Sequence, residues 1–412
     1  MDGPVFAGLN DEQRQAVAAV RGPVCILAGA GSGKTTTITR RIAHQVSSGA
    51  FHPSQILAVT FTDKAAKEMA SRLATLGVGE GLRVRTFHAE ALAQYRFLTG
   101  SSPEILPAKA ALLSPLAQRL PAPHKFVPVR DIATEIEWAR NRRIGPEQYL
   151  SALEGRVPPI PLELMAGLYG SYERRKAERG LMDFEDLLEG TLQLLEGTTA
   201  AAETVRRRYR AFSVDEYQDV NLLQQSLLEA WVGDRDDLCV VGDDYQSIFG
   251  FTGATPRHLV GFPERYPNCR VVTLAANYRS TPEVLALANR LAARFGPSPR
   301  QLRAATEAPG APAPTLRPFG TGDDELAWIV AEAQRLHAAG VGWEEIAVLY
   351  RINGRSEPLE EALAKAGVPY QVTGAAFLRR PGARSVLAGL RRAAGPLVAA
   401  VEAAVRRVGY RP

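Results

Sequence analysis

Six short apolar runs punctuate the chain: PVCILA (23–28), ILAVT (56–60), AFSVD (211–215), LCVVG (238–242), VVTL (271–274) and IAVLY (346–350). Each is rich in β-branched side chains and followed by a polar or glycine-rich segment. Runs without polar alternation are those of strands buried on both faces, as in a parallel sheet. Helix-period patterns separate them at 36–48, 64–76, 222–231 and 357–366, and the alternation predicts a doubly wound α/β fold. Residues 101–182 break it. Prolines cluster there at 103–128 and 158–161, no strand-like run occurs, and amphipathic stretches at 131–142 and 162–179 predict a helical insertion. EAPGAPAP (307–314) reads as a surface loop.

Composition narrows the class without changing the elements. With 412 residues, 46% hydrophobic and 23% charged, the chain is long enough for several ordinary globular domains and is neither disordered nor fibrous. No run approaches the roughly 18 apolar residues of a membrane span, and MDGPVFAGLNDEQ lacks the basic and apolar regions of a signal peptide. Cys25, Cys239 and Cys269 lie far apart in or beside apolar runs, as small buried hydrophobes of a reducing compartment. The cytoplasm is the expected location. Residues 376–412 hold eight arginines against one acid, Glu402, so this tail supplies the whole net charge of +5 and the remainder is slightly acidic. Bulk charge therefore gives little support for nucleic-acid binding, which must rest on local features.

The first apolar run leads into Ala28-Gly29-Ala30-Gly31-Ser32-Gly33-Lys34-Thr35, with Thr36 opening a helical pattern. Glycines allow close backbone approach and positive φ, so successive N–H groups can face phosphate oxygens. A helix N-terminus favours negative charge, Lys34 can reach β- and γ-phosphates, and Thr35 can ligate Mg²⁺. The strand–loop–helix context predicts an ATP site. Its acid counterpart is Phe212-Ser213-Val214-Asp215-Glu216, an apolar strand ending in two carboxylates. Asp215 is the candidate Mg²⁺ ligand, through water, and Glu216 the group that polarises an attacking water. LCVVGDDYQ ends in Asp243 and Gln246, and an amide there can sense the γ-phosphate.

In order along the chain, LNDEQ (9–13), AGAGSGKT, AVTFTDKAAKEM (58–69), TFHA (86–89), DFEDLL (183–188), VDEYQD (214–219), VVGDDYQSIFGFTGA (240–254), NYRST (277–281) and VLYRINGRSEPLEEAL (348–363) resemble the motifs of the UvrD/Rep/PcrA group of superfamily 1 DNA helicases, most closely its actinobacterial second UvrD-like type. The resemblance implies a RecA-like phosphate-loop sheet as the first motor domain over 1–100 and 183–270, with the helical insertion at 101–182. It further implies an incomplete second RecA-like domain over 271–375 and the basic start of a second insertion at 376–412. It gives Gln13 to the adenine edge with Arg41 nearby, Tyr278 to stacking on the base, and Arg279 to the γ-phosphate as a finger from the second motor. Phe61, Phe249 and Phe251 are then the aromatics that stack on successive DNA bases. Thr86 and His88 contact the strand's backbone, and Arg351 and Asn353 contact DNA from the second domain. Stacking is worth about 1–3 kcal/mol per base without demanding sequence.

Where the family usually has Trp followed by Arg, this chain has Phe251 and Thr252, which predicts weaker coupling between DNA and nucleotide. The family's later Val/Leu-His-x-Ala-Lys-Gly-Leu-Glu and Tyr-Val-Ala-x-Thr-Arg-Ala segments do not occur, so the resemblance implies the N-terminal part of a longer helicase, truncated before the last two motifs. The activity implied is ATP- and Mg²⁺-dependent 3′→5′ translocation on single-stranded DNA and at tailed duplex junctions, in repair or recombination. Low turnover is expected of this chain alone, with self-association through an incomplete sheet and no membrane partner. The alternative is a nucleotide-dependent DNA-binding fragment without unwinding activity.

Overall fold

The computed structural model describes residues 4–153, 155–295, 300–305, 312–372, 386–390 and 396–407. The chain divides into two compact units, Met1–Pro314 and Thr315–Pro412. Strands among the described residues are β1 (Val24–Ala28), β2 (Ile56–Thr60), β3 (Arg83–Thr86), β4 (Glu104–Ile105), β5 (Leu181–Met182), β6 (Ala211–Val214), β7 (Leu238–Gly242), β8 (Arg270–Leu274), β9 (Ala276–Asn277) and β10 (Arg303–Ala304). Six of them form one sheet in the order β3-β2-β6-β7-β1-β8, with every neighbouring pair parallel.

Parallel neighbours need crossovers, and helices supply them. Helices α1 (Asp11–Ala18), α2 (Lys34–Ser47) and α3 (Asp63–Thr75) cover one face, where Val24, Ile26 and Ala58 meet Ala16, Ile38, Ile42, Met69 and Leu73. On the other face, Cys25, Leu57 and Val59 share a core with residues of α4 (Phe87–Thr99) and the helices that follow the insertion. Successive β1 residues thus enter opposite cores, which is why PVCILA shows no polar alternation. Burial pushes the Cys25 thiol upward and keeps it an inert hydrophobe.

The predicted insertion is present as α5 (Ala110–Ala117), α6 (Val129–Asn141) and α7 (Leu162–Glu178), around its own core of Leu113, Ile132, Ile136, Tyr169 and Tyr172. The short β4–β5 pair closes its base. The sheet layer resumes with α8 (Phe184–Gly197), α9 (Thr199–Arg208) and α10 (Leu222–Val232). Trp231 on α10 is fully buried, stacks on Phe87 at 5.8 Å, and donates Nε1–H to Gln94 Oε1 at 2.8 Å. Two single turns, α11 (Arg257–Val260) and α12 (Phe262–Arg265), precede β8, and α13 (Pro282–Ala292) follows β9.

At the expected start of the second motor, 271–274, β8 is the edge strand of the first sheet, paired along its whole length with β1. Its carbonyls and amides have a ready partner there, and the first compact unit extends to Pro314. In the second unit, α14 (Gly322–Ala338) and α15 (Ser356–Lys365) pack through Val330, Leu359 and Leu363. Among the described residues the strand-like run at 346–350 forms no strand and pairs with none, and Leu316 and Leu349 stand 99% and 93% exposed. Of the basic tail, a helix at Leu397–Arg407 is described. Arg379, Arg380, Arg384, Arg391, Arg392 and Arg411 lie outside the described residues.

Candidate nucleotide cleft and nucleic-acid face

At the carboxyl ends of β1 and β6 opens a cleft of about 580 Å³. Doubly wound sheets bind ligands at this edge. The glycine loop forms its floor. Gly31 and Gly33 hold φ of +70° and +83°, and a Cβ on Gly31 would sit 2.7 Å from both Arg279 Cβ and Asn277 Nδ2. A side chain there is excluded twice, by backbone conformation and by space. Ala28 ends β1, Ser32 is buried and donates Oγ–H to the Gly29 carbonyl at 2.7 Å, and Ala30, Thr35 and Thr36 line the opening.

Lys34 Nζ lies 3.0 Å from Glu216 Oε2, joining positions 182 residues apart. Glu216 occupies the left-handed region at φ +51°, the kind of strain that survives only where neighbours fix it. Gln218 Nε2 donates to the same carboxylate oxygen at 2.8 Å, while Gln218 Oε1 accepts from the Asp243 amide at 2.9 Å. Gln218 therefore ties the end of β6 to the end of β7. Asp215 is buried behind Glu216, and burial, reinforced by Glu216, pushes its carboxyl up to about 6. Burial and Glu216 do the same to Asp219, also to about 6. Burial and mutual repulsion that outweigh the pull of Lys34 leave these carboxyls suited to a hard divalent cation with oxygen ligands, with Thr35 on the cleft lining and Asp215 buried beside Glu216 as the residues that would hold Mg²⁺.

Gln246 lines the cleft and donates Nε2–H to Asp243 Oδ2 at 2.8 Å. Arg279 and Tyr278 close the opposite wall. Asn277 holds them there: its Nδ2 donates to the Ala30 carbonyl at 2.5 Å, and its Oδ1 accepts from the amides of Arg279 and Ser280. Tyr278 donates its amide to Gly31 O at 2.9 Å, and its hydroxyl accepts from Asn10 Nδ2. Gln13 lines the cleft but uses both polar atoms: Nε2 donates to Ser32 O, and Oε1 accepts from the Asn10 amide in a capping box.

Arg41 is a correction. Its side chain is 1% exposed, faces the sheet, and donates Nε–H to the Ala19 carbonyl at 2.9 Å, away from the cleft lining. One residue along a helix is a turn of about 100°, and that turn brings Arg40 to the cleft instead. Arg40 also donates to the carbonyls of Val5 and Ala7. Arg72 enters from α3, with Glu68 one turn back. Sequence reasoning missed Arg40, Arg72, Gln218 and Asn277. The one amide amid the acids of VDEYQD is the signal that could have found Gln218, whereas nothing local distinguishes Arg72 from the many other arginines.

The aromatics expected on DNA form a contiguous set. Phe61 and Phe249 lie 5.1 Å apart and Phe249 and Phe251 6.1 Å apart, with Phe61 37% and Phe251 54% exposed. Exposed, adjoining rings leave π-faces free. Thr86 caps α4 by accepting from the Ala89 amide. His88 packs edge-to-face on Phe184 at 5.6 Å, and burial, helped by Lys109, lowers its pKa to about 4. It is thus a neutral ring at physiological pH rather than a cation for phosphate. Arg351 and Asn353 are exposed in the second unit, Asn353 at a short turn before α15.

Comparison with known proteins adds the lineage. The model of the UvrD/REP helicase N-terminal domain matches residues 9–267, and that of the UvrD-like helicase C-terminal domain matches 272–396. The chain belongs to the UvrD/REP helicase family. The two family matches meet between residues 267 and 272, whereas the first compact unit runs on to Pro314. The chain is 46% identical over 410 residues to the ATP-dependent DNA helicase UvrD2 of Mycobacterium tuberculosis (94% of this chain, 58% of the relative). It is 38% identical over 405 residues to UvrD1 of the same organism (93% and 52%), and 33% over 402 residues to PcrA of Staphylococcus epidermidis (93% and 53%). The chain thus spans little more than half the length of these relatives. Among the described residues, no helix is long and apolar enough to cross a membrane.

Proposed function

We propose that the chain binds ATP with Mg²⁺ in the glycine-loop cleft, hydrolyses it, and uses the cycle to move along single-stranded DNA as part of an ATP-dependent DNA helicase. The observation that carries this reading is the Lys34–Glu216 pair at 3.0 Å inside the cleft, a phosphate-binding cation and a candidate base on one reacting centre. Backbone amides around Gly31 and Gly33 receive phosphate oxygens. Lys34 neutralises the terminal phosphates, Arg279 faces the same space, and each lowers the cost of charge that builds up on the transferred phosphoryl group. Glu216, aimed by Lys34 and Gln218, accepts a proton from the attacking water, and Gln246 orients that water. Thr35 and Asp215 would hold the metal, which would supply charge neutralisation at the phosphate oxygens.

The Gln246 segment runs directly into Phe249 and Phe251, so the nucleotide and DNA sites share one stretch of backbone. The 3′→5′ direction is the one that the family resemblance implies. Steady-state ATP hydrolysis with and without oligo-dT tests the reading, together with unwinding of 3′- and 5′-tailed duplexes. Oligo-dT stimulates hydrolysis, and Lys34→Ala and Glu216→Gln each lower it at least about a hundredfold, while Glu216→Gln still binds nucleotide. Hydrolysis that survives both substitutions overturns it.

A further inference from the structure

The loop that carries the stacking phenylalanines is held from outside the motor layer. Its carbonyl at Thr252 accepts from Asn141 Nδ2 at 2.7 Å, and Asn141 is the last residue of α6, in the helical insertion. Gly253 stands at φ +93°. A Cβ there would lie 3.1 Å from Asn141 Cβ and 3.2 Å from the Trp138 carbonyl, so loop and helix touch backbone to backbone. The support beneath is built. Arg142 and Arg156 lie on the Trp138 ring, at 5.1 and 4.3 Å. Arg156 Nε bonds Glu135 Oε2 at 2.8 Å, Tyr149 donates to the other Glu135 oxygen at 2.8 Å, and Arg156 Nη2 comes within 3.5 Å of the Phe251 carbonyl. Two consecutive loop carbonyls are thus addressed by insertion side chains, while the Phe251 ring between them and solvent is left exposed.

We infer that Asn141 is a positioning residue for single-stranded DNA. By fixing the carbonyl next to Phe251 it sets the angle at which the aromatic face meets the bases, so the helical insertion governs the grip of the motor without itself stacking on the strand. The inference rests on the proposed DNA-binding role of that face. A ring that must find its own orientation gives up part of its stacking energy to ordering, and Thr252 O loses its donor when Asn141 is replaced.

The test is fluorescence-detected binding of oligo-dT by the full chain carrying Asn141→Ala, the near-isosteric Asn141→Leu, Phe251→Ala, and each Asn141 substitution combined with Phe251→Ala. Thermal melts report folding, and the Leu substitution keeps the packing volume if the Ala variant is unstable. Either single Asn141 variant binds oligo-dT about three- to tenfold more weakly, with affinity for a fluorescent ATP analogue unchanged. In the Phe251→Ala background the same change costs little further, because the ring it positions is gone. Unaltered DNA affinity in the folded single variants overturns the inference, as does an equal loss with and without the Phe251 ring. Should Phe251→Ala alone bind as the parent chain does, the DNA reading of the aromatic face falls, and this inference with it.

Discussion

Glu216 combines a strained backbone with two side-chain partners, and its geometry is the most demanding in the cleft. A non-glycine residue at φ +51° carries a cost of about 1–3 kcal/mol, offset by bonds from Lys34 and Gln218. Replacing Gln218 by Leu frees one side of the carboxylate and strips the Asp243 amide of its acceptor. We expect kcat for ATP hydrolysis to fall about ten- to a hundredfold with the KM for ATP nearly unchanged, since Gln218 touches the base and not the phosphates. Steady-state kinetics check this. His88 gives a second prediction. Its pKa is about 4 in the fold against 6.5 as a free side chain, so between those values the unfolded chain binds more protons than the folded one. Its contribution to stability is complete above 6.5 and is lost as pH falls toward 4. His88→Gln therefore loses less stability than the parent between pH 7 and pH 5 in urea unfolding. At this scale the glycine loop and the acid pair were legible because their chemistry is written into adjacent residues. Arg41, placed near the adenine edge by the family resemblance, lies off the cleft because the turn of the helix decides which of two neighbouring arginines reaches it.

Between elements, the seam joining the insertion to α8 is built from buried charge. Lys109, beside α5, meets Glu185 at 2.6 Å and Asp183 at 3.9 Å. Lys176 on α7 meets Asp183 at 2.9 Å and Asp186 at 2.6 Å, and Arg140 on α6 meets Asp186 at 2.7 Å. Burial works against the Lys109 charge, but Glu185, Asp183 and Glu137 outweigh it and hold the ammonium above its ordinary pKa. DFEDLL thus serves as a docking strip, its acids facing the insertion while Leu187 and Leu188 enter the motor core. Lys109→Met leaves Glu185 uncompensated and costs about 3–5 kcal/mol of stability, and adding Glu185→Met restores most of it. Urea unfolding of both variants measures the difference; equal losses would show that the seam is not an ion-pair device. The insertion itself was legible as a break in the strand–helix alternation. This seam was not, because its partners lie up to 76 residues apart and only folding brings them together.

For the molecule as a whole, the two units differ in how completely their apolar residues are covered. The first has a six-stranded sheet with a core on each face. In the second, Leu316, Leu349 and Ile352 stand exposed, and the strand-like run at 346–350 finds no ladder among the described residues. The run at 346–350 has every local mark of a buried strand. Local pattern states what a segment can become, while pairing depends on a neighbour that the pattern does not name. Unpaired apolar segments of this kind are templates for association. Sedimentation of the chain should accordingly show mass rising with concentration. Glu in place of Leu316 and Leu349 should shift that rise to at least about tenfold higher concentration, because charged side chains on an open edge oppose pairing. The same substitutions should leave nucleotide affinity unaltered, since the glycine loop, Lys34, Glu216 and Arg279 all belong to the first unit. Association that persists with both charges in place would locate the contact elsewhere, with the row of Val284, Leu287, Leu291 and Phe295 at helical spacing on and just after α13 as the next surface to charge.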